Sequence, residues 1–233
     1  AGTLAELVGV EALGLHICTQ AVADTDKLAR RFIQHTWPDI QHVFEDNTAL
    51  IDTSTNDGRY CAICTKQCRT KLPAPDIASG GFPCTPFTKM RDQKGSTPAT
   101  GKPFEHPSYH VVMNQLPEYL KERQPHSFWI EEVETLRRND PRTGTTYLNQ
   151  LAAACKSAGY ELRAMLLNHN SWVDMPRERI FLMGFRDSAG GAKAADWAVA
   201  KIEATVASRH EQGGPVGVWE VLNVSDMDEQ TWL

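Results

Sequence analysis

No apolar run in this chain approaches the roughly 18 residues that a membrane span requires, and no basic stretch leads into an apolar one at the N-terminus. A helical membrane protein and a secretory leader are therefore not the expected readings. Cysteine is scarce: six in 233 residues are too few to staple a fold of this length, so reduced thiols in an intracellular compartment are expected. An excess of positive charge is also missing, since 24 Lys and Arg against 29 Asp and Glu leave a net charge of -5. That balance excludes a uniformly basic nucleic-acid binder. None of the eight histidines forms an H-x3-H pair on a helical stretch, and no internal repeat is evident. The first residue is Ala1 rather than Met, as in a trimmed or processed chain.

What is present suits one sizeable domain, with 41% hydrophobic residues to fill a core. The charge is unevenly spread. Between Arg59 and Lys102 eight basic residues face only Asp76 and Asp92, so this segment carries +6 and the remainder -11. A positive segment on an acidic body attracts a polyanion locally, and the plainer alternative is a solvated loop.

Periodicity predicts an alternation of helices and strands. Residues 3–14 space their apolar positions as a helix does. "HICTQAVAD" reads as a strand ending at Asp24, and "TDKLARRFIQHTW" as a helix capped by Thr25 and stopped by Pro38. "IQHVFED" and "PDIASGG" read as strands around a loop insertion at 52–74. Further on, "SYHVVMNQLPEYLKERQ" is helical with a kink at Pro117, "HSFWIEEV" is β-rich, and "TYLNQLAAACKSAG" is a helix closed by Gly159. "YELRAMLLN" and "RIFLMGFR" read as strands, and "AADWAVAKIEATVASRH" is a last helix before an acidic tail. The alternation indicates an α/β domain on a largely parallel sheet. Ligands bind such sheets beyond the C-terminal strand ends, where Asp24, Asp46 and Cys84 fall.

Three segments belong together. "GGFPC" (80–84) follows a strand, "FWIEEVE" (128–134) contains a strand-end acid, and "PRERIFLMGFR" (176–186) sets paired arginines before a strand. In order and spacing they resemble the cytosine-C5 methyltransferase family, over residues 1 to about 187. The resemblance implies a Rossmann-like, S-adenosylmethionine-dependent methyltransferase fold. It places the family's first strand before Ala1, leaving this domain incomplete there. Residues 1–187 are then the catalytic domain, with the Cys-containing insertion at about 52–74, and residues 188–233 a C-terminal helix and tail.

The resemblance also implies roles. Cys84 matches the nucleophile that adds to carbon 6 of cytosine as a thiolate. Glu131 matches the acid that engages the exocyclic amine and ring nitrogen 3. Arg179 matches the arginine that contacts the base, with Arg177 beside it. For the cofactor, Gly2 matches the first glycine of the binding turn, with Leu4 where a further glycine is usual. Asp24 stands at the ribose-binding acid and Asp46 at the adenine-side acid, with Thr25 and Asn47 beside the ring and Pro83 lining the pocket. The implied partner is DNA, or less readily RNA, reached by flipping the target base out of its stack. The site of action would be the nucleus or nucleoid, with target recognition supplied by a missing segment or a second chain. Some positions depart from the family pattern: Glu132 replaces an Asn, and Asp174-Met175 replaces Pro-Gln. A second reading follows from these, a non-catalytic methyltransferase-derived domain acting as a structural or interaction subunit.

"CAICTKQC" sets Cys61, Cys64 and Cys68 at C-x2-C-x3-C spacing inside the insertion. Three thiolates with a fourth ligand such as His42 suit zinc, an iron–sulfur site is a further option, and free thiols are the alternative. Cys18 and Cys155 lie in apolar patterns and are expected in the core, as is Trp129 beside Phe128.

Overall fold

The computed structural model describes residue 7 and residues 16–51, 59–68, 72–87, 103–168 and 177–211. Gly2, Leu4 and the helix expected over residues 3–14, like Asp174-Met175, lie outside them. Two four-stranded sheets carry the fold. The first contains β1 (Ala21–Ala23), β2 (His42–Phe44), β3 (Arg59–Cys61) and β4 (Lys66–Cys68), in that order. The second contains β5 (Ile77–Gly81), β6 (Ser127–Glu132), β7 (Tyr160–Asn168) and β8 (Glu178–Arg186), in the order β5-β6-β8-β7.

The α/β architecture agrees with the alternation read from the sequence, but the sheets are mixed. β1 with β2 and β5 with β6 run parallel, whereas β2–β3, β3–β4, β6–β8 and β7–β8 are antiparallel. Strand direction depends on how each connection returns, and hydrophobic alternation does not record it. Among the described residues β1 and β5 are terminal strands of their sheets. The insertion is structured in part, with β3 and β4 forming a hairpin on β2.

Helix α1 (Lys27–Thr36) is capped by Asp26 rather than Thr25. The Asp26 backbone is extended, and its Oδ1 accepts the N–H groups of Leu28 at 2.6 Å and Ala29 at 3.3 Å. Thr and Asp are both good caps, and the residue that reaches the first free N–H groups takes the position. α1 buries Ile33 against Val22, Ile40 and Val43. The short α2 (Thr48–Ile51) follows β2. Before α3 (Leu116–Arg123) the chain makes a π-helical turn over Val111–Gln115, so Pro117 falls in the first turn of α3, where its missing N–H costs nothing.

The largest core lies on one face of the second sheet. Phe128, Ile130, Ile180 and Leu182 pack there against Leu116 and Leu120 of α3 and against Tyr147, Leu151 and Cys155 of α4 (Tyr147–Ser157). Gly159 ends α4 at φ 88°, a conformation that favours glycine. α5 (Gly191–Glu211) packs on β7 and β8 from the other face, where Arg163 Nε donates to Asp196 Oδ1 at 2.7 Å. That face leaves Ile77 and Trp129 exposed. Trp129 is therefore not core, because the two-residue period of β6 sends Phe128 and Trp129 to opposite faces. Cys155 is buried as expected, and burial pushes its thiol up to about 12. Cys18 is exposed instead, its Sγ accepting a hydrogen bond from Gln41 Nε2 at 3.2 Å.

Gly184 on β8 lies directly opposite Phe128 on β6, and a Cβ there would overlap the Phe128 ring. Overpacking of this kind costs about 1–3 kcal/mol. Gly184→Ala is expected to lower unfolding stability by that amount in urea denaturation, and an unchanged midpoint would show that Phe128 does not pack there.

Candidate active site

Parallel pairing builds the site from the end of β5. The register sets Gly81 opposite Glu131, and a Cβ on Gly81 would sit 3.9 Å from Glu131 Oε2. Three residues on, Cys84 is half-buried after the exposed Pro83. The Cys84 carbonyl accepts the Phe87 N–H at 2.9 Å, which closes a tight turn. Phe87 is buried against Tyr109 and Tyr147. Its carbonyl accepts a hydrogen bond from the buried hydroxyl of Thr135. Thr135 thus ties the turn containing Cys84 to the segment just beyond Glu131. Nothing in the sequence marks it, since 48 residues separate it from Phe87.

Arg177 and Arg179 flank the start of β8, which runs antiparallel to β6 and so begins where β6 ends. Both reach the same carboxylate oxygen. Arg177 Nη2 lies 3.0 Å and Arg179 Nε 2.8 Å from Glu131 Oε1. Among the described residues none engages Oε2, the oxygen nearest Gly81. Of the four residues expected to act together, Glu131, Arg177 and Arg179 meet, with one carboxylate oxygen held and the other on the side of Gly81, three residues before Cys84.

Glu132 points the other way, into the core, and is 2% exposed. Its Oε2 accepts the Val133 N–H at 3.0 Å, while Oε1 is buried without a partner among the described residues. Burial, reinforced by the neighbouring Glu131 charge, outweighs the Val133 N–H and Arg179 and pushes this carboxyl up to about 7.

On the first sheet, Asp24 and Asp46 follow the C-terminal ends of two parallel strands. Asp24 Oδ1 accepts the Asp26 N–H at 2.8 Å, and Asp46 Oδ1 accepts the Thr48 N–H at 2.8 Å. Arg30, not anticipated from the sequence, links the two ends. Its Nη1 donates to the carbonyls of Asp24 at 2.7 Å and Thr25 at 2.9 Å, and its Nη2 to Glu45 Oε1 at 3.1 Å. Asn47 Nδ2 donates to Gln115 Oε1 at 2.8 Å, joining this strand end to the π-helical turn. Two carboxylates at adjacent strand ends are acceptors suited to sugar hydroxyls and an exocyclic amine. That acceptor set fits S-adenosylmethionine, and the glycine turn expected at Gly2 lies outside the described residues.

The sequence profile of C-5 cytosine-specific DNA methylases matches residues 14–216. The chain belongs to that family. Among curated relatives it is 33% identical over 138 residues to the orphan methyltransferase M.SPRI of Bacillus phage SPR, covering 59% of this chain and 28% of that protein. It is 28% identical over 158 residues to the type II methyltransferase M.NlaX of Neisseria lactamica, covering 65% of this chain and 47% of that protein. The chain thus spans less than half the length of these relatives. Among solved structures, a mutant DNMT2 of Spodoptera frugiperda aligns with a TM-score of 0.49 at 17% identity, over 79% of this chain and 47% of that one. The Rossmann-like methyltransferase fold accords with the parallel strand ends described above.

The Glu132 carboxyl yields a pH prediction with a defined sign. Its folded value of about 7 is raised from 4.5, so its contribution is fully present below about pH 4.5 and is lost as the pH rises through about 7. The loss is on the order of 3 kcal/mol. Glu132→Gln stays neutral, so wild type is expected to lose stability relative to this variant between about pH 4.5 and pH 7. Parallel pH dependences of the two proteins in urea denaturation would rule the buried carboxyl out as the cause.

Proposed function

We propose that this chain forms the catalytic part of an enzyme that methylates carbon 5 of cytosine in DNA. The observation that carries the reading is the register of β5 on β6. It sets Gly81 against a Glu131 carboxylate held by two arginines, with Pro83-Cys84 following directly. In this reading the Cys84 thiolate adds to carbon 6 of the flipped cytosine and forms a carbon–sulfur bond. Glu131 Oε2 receives the exocyclic amine and protonated nitrogen 3, which draws ring electrons away from carbon 6 and favours the addition. Arg177 and Arg179 fix the carboxylate for that contact and bring positive charge to the base. Asp24 and Asp46 would hold S-adenosylmethionine, whose methyl group would pass to carbon 5 as its bond to the sulfonium sulfur breaks, leaving S-adenosylhomocysteine. A solvent base would then take the carbon-5 proton as the carbon–sulfur bond breaks and the Cys84 thiolate returns.

DNA is the proposed partner, in keeping with the family description and with the +6 segment between Arg59 and Lys102. Because the chain spans only part of its relatives, target recognition is assigned to sequence outside it or to a second chain, and action to the compartment that holds DNA. Among the described residues no helix is long and apolar enough to cross a membrane. A non-catalytic role for the domain is favoured by one observation, the unpartnered Glu132 Oε1 beneath the acid.

A duplex containing 5-fluorocytosine separates the two, since fluorine at carbon 5 cannot leave as a proton and the adduct persists. With S-adenosylmethionine present, the protein is expected to form a denaturation-resistant complex that Cys84→Ala abolishes. Glu131→Gln is expected to slow its formation by about 10²–10⁴-fold. Cofactor binding without any adduct in the wild-type protein would favour the non-catalytic reading.

A further inference from the structure

The methyl-transfer chemistry leaves the Cys61–Cys68 hairpin unexplained. The fold brings its three thiols to one imidazole from another strand. His42 Nδ1 lies 3.7 Å from Cys61 Sγ, 3.7 Å from Cys64 Sγ and 3.5 Å from Cys68 Sγ, and Cys64 Sγ lies 3.9 Å from Cys68 Sγ. The ligand atoms of His42, Cys64 and Cys68 all fall within 4.8 Å of one another. A tetrahedral zinc ion with Zn–S of about 2.3 Å and Zn–N of about 2.0–2.1 Å separates its sulfurs by about 3.8 Å and sulfur from nitrogen by about 3.6 Å. The three sulfur–nitrogen separations bracket the second value, and the Cys64–Cys68 separation lies close to the first. At 3.9 Å the Cys64 and Cys68 sulfurs are too far apart for a disulfide, whose sulfurs are about 2 Å apart.

The backbone is shaped for the same purpose. The turn between β3 and β4 spans Ala62–Thr65, and Thr65 takes φ 53°, a left-handed conformation rare for a β-branched residue. The hairpin joins β2 through the Phe44–Cys61 pair and the Ala62 N–H to Val43 carbonyl bond of 2.8 Å. So small an attachment leaves much for a metal to hold.

We propose that His42, Cys61, Cys64 and Cys68 form a structural zinc site. Four protein ligands fill a tetrahedron and leave no position for water or substrate, so the ion ties the hairpin to β2 rather than activating a reactant. Binding displaces up to three thiol protons, which makes it stronger as pH rises. His42 stacks on Phe44 with ring centroids 5.9 Å apart, and the Phe44 carbonyl accepts the Asp24 N–H at 3.2 Å. The ion therefore steadies the strand ends that carry Asp24 and Asp46.

The test reads metal rather than methyl transfer, so its outcome is independent of the function proposed above. The full protein is purified under reducing conditions with zinc supplied, and its metal content is measured. A parallel sample is loaded with Co(II) and its visible spectrum recorded. About one zinc per chain is expected, with the intense cobalt d–d bands and sulfur-to-cobalt charge transfer of a tetrahedral thiolate site. Cys64→Ser and Cys68→Ser should lose both signals, His42→Ala should weaken retention at least tenfold, and Cys18→Ser should retain them. The site is overturned by wild-type protein that holds under about a tenth of an equivalent of zinc and gives no cobalt–thiolate spectrum. Iron with acid-labile sulfide, or zinc undiminished in a Cys64→Ser/Cys68→Ser double variant, overturns it as well.

Discussion

Parallel pairing between β5 and β6 governs where every catalytic candidate ends up. Two parallel strands finish at the same end of a sheet, so the chain leaving β5 and the acid near the end of β6 emerge side by side. A shift of one residue would turn Glu131 to the opposite face and bring Glu132 in its place. The register is held by burial, because Phe128, Ile130 and Glu132 occupy the core face, and Trp129 and Glu131 the other. β8 then enters antiparallel beside β6, and that direction alone brings Arg177 and Arg179 to Glu131.

Two adjacent carboxyls with opposite surroundings follow from that alternation. Glu131 sits at the strand end with two guanidinium groups on one oxygen. Glu132 faces apolar side chains with a single N–H for company, an arrangement that favours the proton. A neutral Glu132 presents one donor and one acceptor, as an Asn side chain also does, without adding negative charge beneath Glu131. An ionised Glu132 does add it. The departure from the family pattern at this position is therefore compatible with the site in one protonation state and opposed to it in the other.

Much of this was legible in the sequence, and what was not has a common cause. Cys84, Glu131 and the paired arginines could be singled out because their segments resemble the cytosine-C5 methyltransferase family in order and spacing, and the strand ends that carry them are marked locally by glycine and alternation. Thr135, Arg30 and the Asn47–Gln115 pair could not, because each is defined by a partner distant in the chain or across strands. The cap of α1 went to Asp26 instead of Thr25 because the Asp26 carboxylate reaches the free N–H groups of Leu28 and Ala29, a choice between two competent residues that composition does not decide. Trp129 is different: period-2 alternation within β6 already separates it from Phe128, and treating the apolar run as wholly buried overlooked that.

The first sheet sets a separate requirement. β1 and β2 are each only three residues long, and strands so short give little ladder energy to fix the positions of Asp24 and Asp46. Arg30 answers this on one side by bridging the Asp24 and Thr25 carbonyls to Glu45. On the other side β2 is wholly buried, flanked by the Ile33 cluster and by the cluster of Phe44, Ala49, Cys61 and Leu72. The β3–β4 hairpin completes the second of these clusters while its own Tyr60 and Ile63 stay exposed. Its grip on β2 thus comes from the cysteine face. Whatever holds those thiols together also steadies β2, the strand that leads into Asp46.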